Sequence, residues 1–202
     1  MLGSRIFVAV VAFGGSALAP SAAPERYVPV TGWTYGSADS REQWWGSELR
    51  VMREPVLSAP AAGAGFRRRF RLLMIRSRGM PFAVRIDEPT EGTAIARRVG
   101  INNRDLARAR ISEDRTVVFG RAQRLRFAQA IRTSGLRFAP REARVKPEKP
   151  GVMTVCLHPT TYIFELVEAG ESRFVYRSEC NISHKLRELA ETVDKMVPSS
   201  PI

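Results

Sequence analysis

The chain has 202 residues, with 32 Lys or Arg against 20 Asp or Glu and a net charge of +12, which suits one domain with its own core. So basic a balance suggests nucleic acid, but arginine outnumbers lysine 28 to 4, the mark of a GC-rich codon bias, and no nucleic-acid partner is expected. The only two histidines, His158 and His184, have no partner at ligand spacing and read as surface residues, not as metal ligands or general bases.

The N-terminus reads as a secretory signal peptide over residues 1–23. Arg5 ends a short basic start, and Ile6 to Leu18 form an apolar stretch broken by Gly14, Gly15 and Ser16. A spanning helix needs about 20 consecutive apolar residues, and Pro20, Pro24 and Pro29 end this stretch too soon. Ala19, Ser21, Ala22 and Ala23 supply the small side chains of a cleavage site. Cutting after Ala19 or Ala23 would put proline next, so the cut is expected after Ser21 or Ala22. The mature chain is expected in the periplasm or secreted, and no second apolar segment of spanning length follows.

Residues 24–65, rich in Pro, Gly, Ser and Ala, read as an irregular lead-in with one strand at 44–52. A single α+β domain is expected over 66–198. Phe66, Arg68, Phe70, Leu72 and Met74 alternate with Arg67, Arg69, Arg71, Leu73 and Ile75, the period of a strand. Strands at 82–86 and 93–99 complete an antiparallel group of three. A helix is expected over 117–134, with Ala122, Leu125, Ala128 and Ile131 as its apolar stripe and Gly135 as its stop. Three short strands follow at 153–157, 161–168 and 172–178. The closing helix starts at Asn181 or Ser183 as cap, lines Leu186, Leu189, Val193 and Met196 along one side, and stops at Pro198. The order strands, helix, strands, helix predicts an antiparallel sheet from two strand groups with about two helices on one face.

Cys156 and Cys180 both lie in the mature part, and an even count in an oxidising compartment predicts a disulfide. Such a loop would stabilise the fold by about 3 to 4 kcal/mol. Nucleophile, phosphate-loop and metal motifs are absent, so no catalytic residue, cofactor or metal is assigned. The neighbouring carboxylates Asp87-Glu88 and Glu113-Asp114 read as solvated turn charges. Asn181-Ile182-Ser183 matches a glycosylation acceptor, but a helix cap accounts for it better.

The charge is segregated. Residues 64–144 hold 20 Arg or Lys against 7 Asp or Glu, a balance of +13, while the mature sequence on either side is close to neutral. Alternation puts Arg67, Arg69 and Arg71 on one strand face, and these three are the candidate anion-binding residues. Anionic lipids or polymers of the envelope are the partners such a surface would take.

The strand pair within 66–86, the helix ending Gly135-Leu136-Arg137-Phe138, the hairpin 161–177 with Tyr162 and Phe164, and the Leu-rich closing helix together resemble a family of uncharacterised exported proteobacterial proteins. The likeness covers roughly 66–197 and implies an α+β fold without implying an activity. Three functions stay open on the residues: a non-catalytic envelope binding protein, an enzyme with an unconventional carboxylate site, and a periplasmic protein inhibitor.

Overall fold

A computed structural model of the chain describes residues 26–30, 37–59, 63–76, 79–143 and 159–199. It begins with a bent helical segment made of α1 (Ala38–Arg41), a π-helical turn (Glu42–Gly46) and α2 (Ser47–Val51). Four strands follow, β1 (Phe66–Ile75), β2 (Phe82–Pro89), β3 (Ile95–Ile101) and β4 (Ile111–Val118), and then α3 (Arg121–Ser134). A 3-10 turn (Leu136–Phe138), the hairpin β5 (Thr161–Glu168) and β6 (Glu171–Ser178), and α4 (His184–Met196) complete the order. The strands form one antiparallel sheet in the order β4-β3-β2-β1-β5-β6. The protein is therefore α+β, as its strand and helix patterns predict.

Alternation builds the two sides of the sheet. Phe70, Leu72, Val84, Ile86 and Phe164 meet Phe127 and Ile131 of α3 and Leu189 and Val193 of α4 in the larger core, where Phe70 and Phe127 contact edge to face with centroids 5.4 Å apart. Leu73, Ala83, Val99 and Ile163 point the other way and are covered by Trp45, Leu49 and Met52. Residues 44–52, expected as a strand, are thus helical. The spacing 45, 49, 52 carries the reason, since steps of four and three residues line one helix face. In the π-helical turn a Cβ at Gly46 would land on the Glu42 carboxyl. Glycine there lets Glu42 reach across to accept from the Val28 amide at 2.8 Å and from Arg50.

One further expectation is corrected. Val117 and Val118 belong to β4, not to α3, because Gly120 starts the helix with its amide donating 2.9 Å to the side chain of Gln123. β5 has β1 on one side and β6 on the other. Residues 153–157, expected as a strand, lie outside the described residues. The β5-β6 connection is the two-residue turn Ala169-Gly170, both at positive φ (52° and 79°), which matches the twist of a tight hairpin. At the start of α4 the Ser183 hydroxyl accepts from the Leu186 amide, as a helix cap should.

Cys180 sits in the exposed turn after β6 and is not a free thiol. The chain's only other cysteine, Cys156, lies outside the described residues, so the bridge between them is carried forward as a proposal.

Candidate functional site

The register of the sheet sets arginines side by side. Arg71 of β1 stands opposite Arg85 of β2, and Arg85 stands opposite Arg97 of β3. Like charges facing across strands repel, and here the lead-in supplies the answer. Glu54, just after α2 and buried, accepts from Arg85 Nη1 at 2.7 Å and from Arg97 Nη1 at 3.0 Å, with Arg71 Nη1 at 3.8 Å. Arg71, with no exposed surface, donates twice to Glu165 of β5, at 2.8 and 2.5 Å, and once to the Pro55 carbonyl at 2.6 Å. Asp87 bridges Arg69 and Arg85, each at 2.8 Å, and Asp114 takes a bidentate pair from Arg97. Four arginines and four carboxylates therefore close a neutral network beneath the lead-in.

The protonation balance follows. Burial works to lower the Arg85 guanidinium, but Glu54 and Asp87 outweigh it and hold it above its ordinary value. The hydrogen bonds from Arg97 keep Asp114 below the ordinary carboxylate range. Burial raises Glu165 above that range against the pull of Arg71.

On the other side of the sheet, Arg68 joins Glu88 at 2.9 Å and Glu168 at 2.6 Å, and Glu168 also takes Arg137 at 2.5 Å. Arg98 lies over the Phe82 ring, 3.9 Å from its centroid, and pairs with Glu113 and Asp194. Four acids from outside 64–144, Glu54, Glu165, Glu168 and Asp194, thus neutralise part of its surplus.

Of the three candidate anion-binding residues, Arg69 and Arg71 are buried in ion pairs and are not available to an external anion. Arg67 is exposed because the β1-β2 register shifts between Phe66 and Arg68, which breaks the alternation that would have placed it with the other two. It meets different partners. Arg67, Arg121 and Arg124 line one groove of about 330 Å³ between the start of β1, the β2-β3 turn and the first turns of α3. None of the three guanidinium groups has an ion-pair or hydrogen-bond partner among the described residues, and the one carboxylate lining the groove, Glu88, is already held by Arg68. Cations in the first turn oppose the helix dipole, so Arg121 and Arg124 sit where a bound anion would be favoured. A larger concavity of about 730 Å³ between α3 and α4 mixes Arg126, Lys185 and Lys195 with Glu188 and Glu191 and has no comparable surplus.

The remaining candidates are dispersed. His184 is exposed and lies 3.4 Å from Glu188, and His158 lies outside the described residues. Asp87, Glu88, Glu113 and Asp114 are not turn charges: they lie in strands, neighbours point to opposite sides, and each holds an arginine. Among the described residues no group of three or more His, Cys, Asp or Glu could hold a metal ion, and no helix is long and apolar enough to cross a membrane. The sequence signal that would have found the groove is the acid-free composition of α3, which carries Arg121, Arg124, Arg126 and Arg132. No protein-family model matches this chain, and no curated protein does.

Proposed function

We propose that this chain is an exported, non-catalytic binding protein of the bacterial envelope, and that the groove of Arg67, Arg121 and Arg124 takes phosphate-type anions. One observation carries the reading: these arginines converge without carboxylate partners in a protein that neutralises its other central arginines with buried acids. Guanidinium forks match phosphate oxygens, and such charge-assisted bonds are stronger than neutral ones. The carboxylates Asp87, Glu88 and Glu165 are each held by an arginine.

The test is binding of inorganic polyphosphate. Replacing Arg67, Arg121 and Arg124 by Gln is expected to weaken affinity at least about tenfold, since each hydrogen bond to a charged group contributes roughly 1.5 to 3 kcal/mol. Thermal stability should be unchanged, because none of the three joins an ion pair. Affinity should also fall as salt shortens the Debye length from about 10 Å at 0.1 M to about 3 Å at 1 M. Wild-type affinity in the triple variant would overturn the reading.

Export and the proposed Cys156–Cys180 bridge are read together from the intact mass of protein expressed in a Gram-negative host with its own leader. The mature chain is expected to begin at Ala22 or Ala23 and to resist thiol alkylation when unfolded without reductant. A protein retaining Met1 would refute export. Alkylation of both cysteines would refute the bridge.

A further inference from the structure

We infer that the outer side of α3 docks on an anionic lipid bilayer, with Leu125 and Phe138 entering the interface and arginines at headgroup level. The inference rests on the anion reading above and narrows its partner to a lipid surface.

Three observations carry it. First, the apolar side chains at this site are out of place for a surface that binds by charge alone. Leu125 is 62% exposed and Phe138, in the turn that follows the helix, is 90% exposed. Phe127 and Ile131 hold α3 to the sheet. At about 100° per residue, Leu125 falls on the side of the helix away from them. Leu136 is buried, so the 3-10 turn is anchored while Phe138 stands free of the core.

Second, α3 carries four arginines and no acid over 14 residues. Arg121 and Arg124 open into the anion groove, and Arg132 lies in the last turn of the helix. Third, α4 packs beside α3 against the same core, yet intersperses Lys185, Arg187 and Lys195 with Glu188, Glu191 and Asp194. Of these two helices, only the one that carries Leu125 has a basic surplus.

A soluble polyanion would use the arginines and leave Leu125 and Phe138 facing water. A bilayer uses both, because interfacial binding adds buried apolar area to attraction for anionic headgroups. The helix need not leave the sheet to do so. Phe127 and Ile131 stay in the core while the opposite side of α3 settles on the membrane.

The experiment is co-sedimentation of the protein with phosphatidylcholine vesicles, with and without phosphatidylglycerol, beside a polyphosphate binding assay. Wild type is expected to bind only the vesicles containing phosphatidylglycerol. The variant Leu125→Ser with Phe138→Ser alters two exposed side chains and should fold normally. It should lose at least about tenfold in vesicle affinity, the worth of one buried apolar side chain, while its polyphosphate affinity changes far less, because Leu125 lines the groove with carbon atoms and offers an anion no hydrogen bond. The variant Arg67→Gln, Arg121→Gln and Arg124→Gln should lose both kinds of binding. Unchanged vesicle binding by the Leu125 and Phe138 variant would overturn the lipid inference and leave the anion reading standing. Loss of polyphosphate binding without loss of vesicle binding in the arginine variant would overturn the lipid inference as well. Equal affinity of the arginine variant and wild type for both probes would overturn the two together.

Discussion

Glu54→Gln is expected to destabilise the fold by about 3 to 5 kcal/mol, the usual cost of removing one partner from a buried ion pair. The residue is 3% exposed, and its two oxygens serve Arg85 and Arg97 with Arg71 close by. Glutamine fills the space but removes the charge that lets three arginines stand in a row across β1, β2 and β3. Asp87, Asp114 and Glu165 would then be the only acids left in that network. The effect should also loosen the lead-in, because the Tyr27 hydroxyl donates 2.5 Å to the Glu54 carbonyl and Arg71 donates to that of Pro55. Urea unfolding of wild type and Glu54→Gln measures the loss. Glu179→Gln is the control, since it removes a pair with Arg187 that is more than a third exposed on both sides and should cost under about 1 kcal/mol. Equal losses in the two variants would show that the buried network contributes no more than a surface pair.

Glu48→Gln is expected to act in the opposite sense. Oxygen Oε2 of Glu48 is buried without a hydrogen-bond partner, and burial pushes the carboxyl up to about 7 from an ordinary 4.5, against the pull of Arg104 in the β3-β4 loop. The native state therefore keeps a proton that the unfolded chain releases near its ordinary value. Between these values the native state binds more protons, so stability is greatest below about 4.5 and declines as pH rises through about 7. The loss approaches about 3 kcal/mol, at 1.36 kcal/mol for each pH unit of the difference. Glutamine keeps the shape and removes the titration. At pH 8 the variant should exceed wild type by roughly 2 to 3 kcal/mol, and at pH 4 the two should nearly coincide. The check is a series of urea midpoints from pH 4 to pH 8 for both proteins. Parallel curves would rule out a buried proton on Glu48.

What the sequence by itself determined was the repeat of each local element. Period two in Phe70, Leu72 and Met74 sets the sides of β1, because successive side chains on a strand must diverge. Gly135 and Ser183 fixed helix ends through backbone and side-chain chemistry that needs no distant partner. The helical step of Trp45, Leu49 and Met52 was equally present, but the surrounding Pro and Gly residues hid it in an irregular composition. β4, Ile111–Val118, carried no strand pattern in the sequence because its centre, Glu113-Asp114-Arg115, is charged, and two of these charges pair with Arg98 and Arg97 of β3.

Only the tertiary structure decided which arginines meet solvent. Alternation could place Arg69 and Arg71 on one side of β1, but not tell that Glu54 from the lead-in and Glu165 from β5 would cover that side. Nor could it foresee the register shift at Phe66 and Arg68 that leaves Arg67 outside. A net charge is a sum over sequence, whereas the field at a surface depends on which charges are paired within a few ångströms. Pairing across strands far apart in the chain neutralised Arg69 and Arg71 and left unpaired the guanidinium groups of the groove that Arg67 of β1 lines with Arg121 and Arg124 of α3.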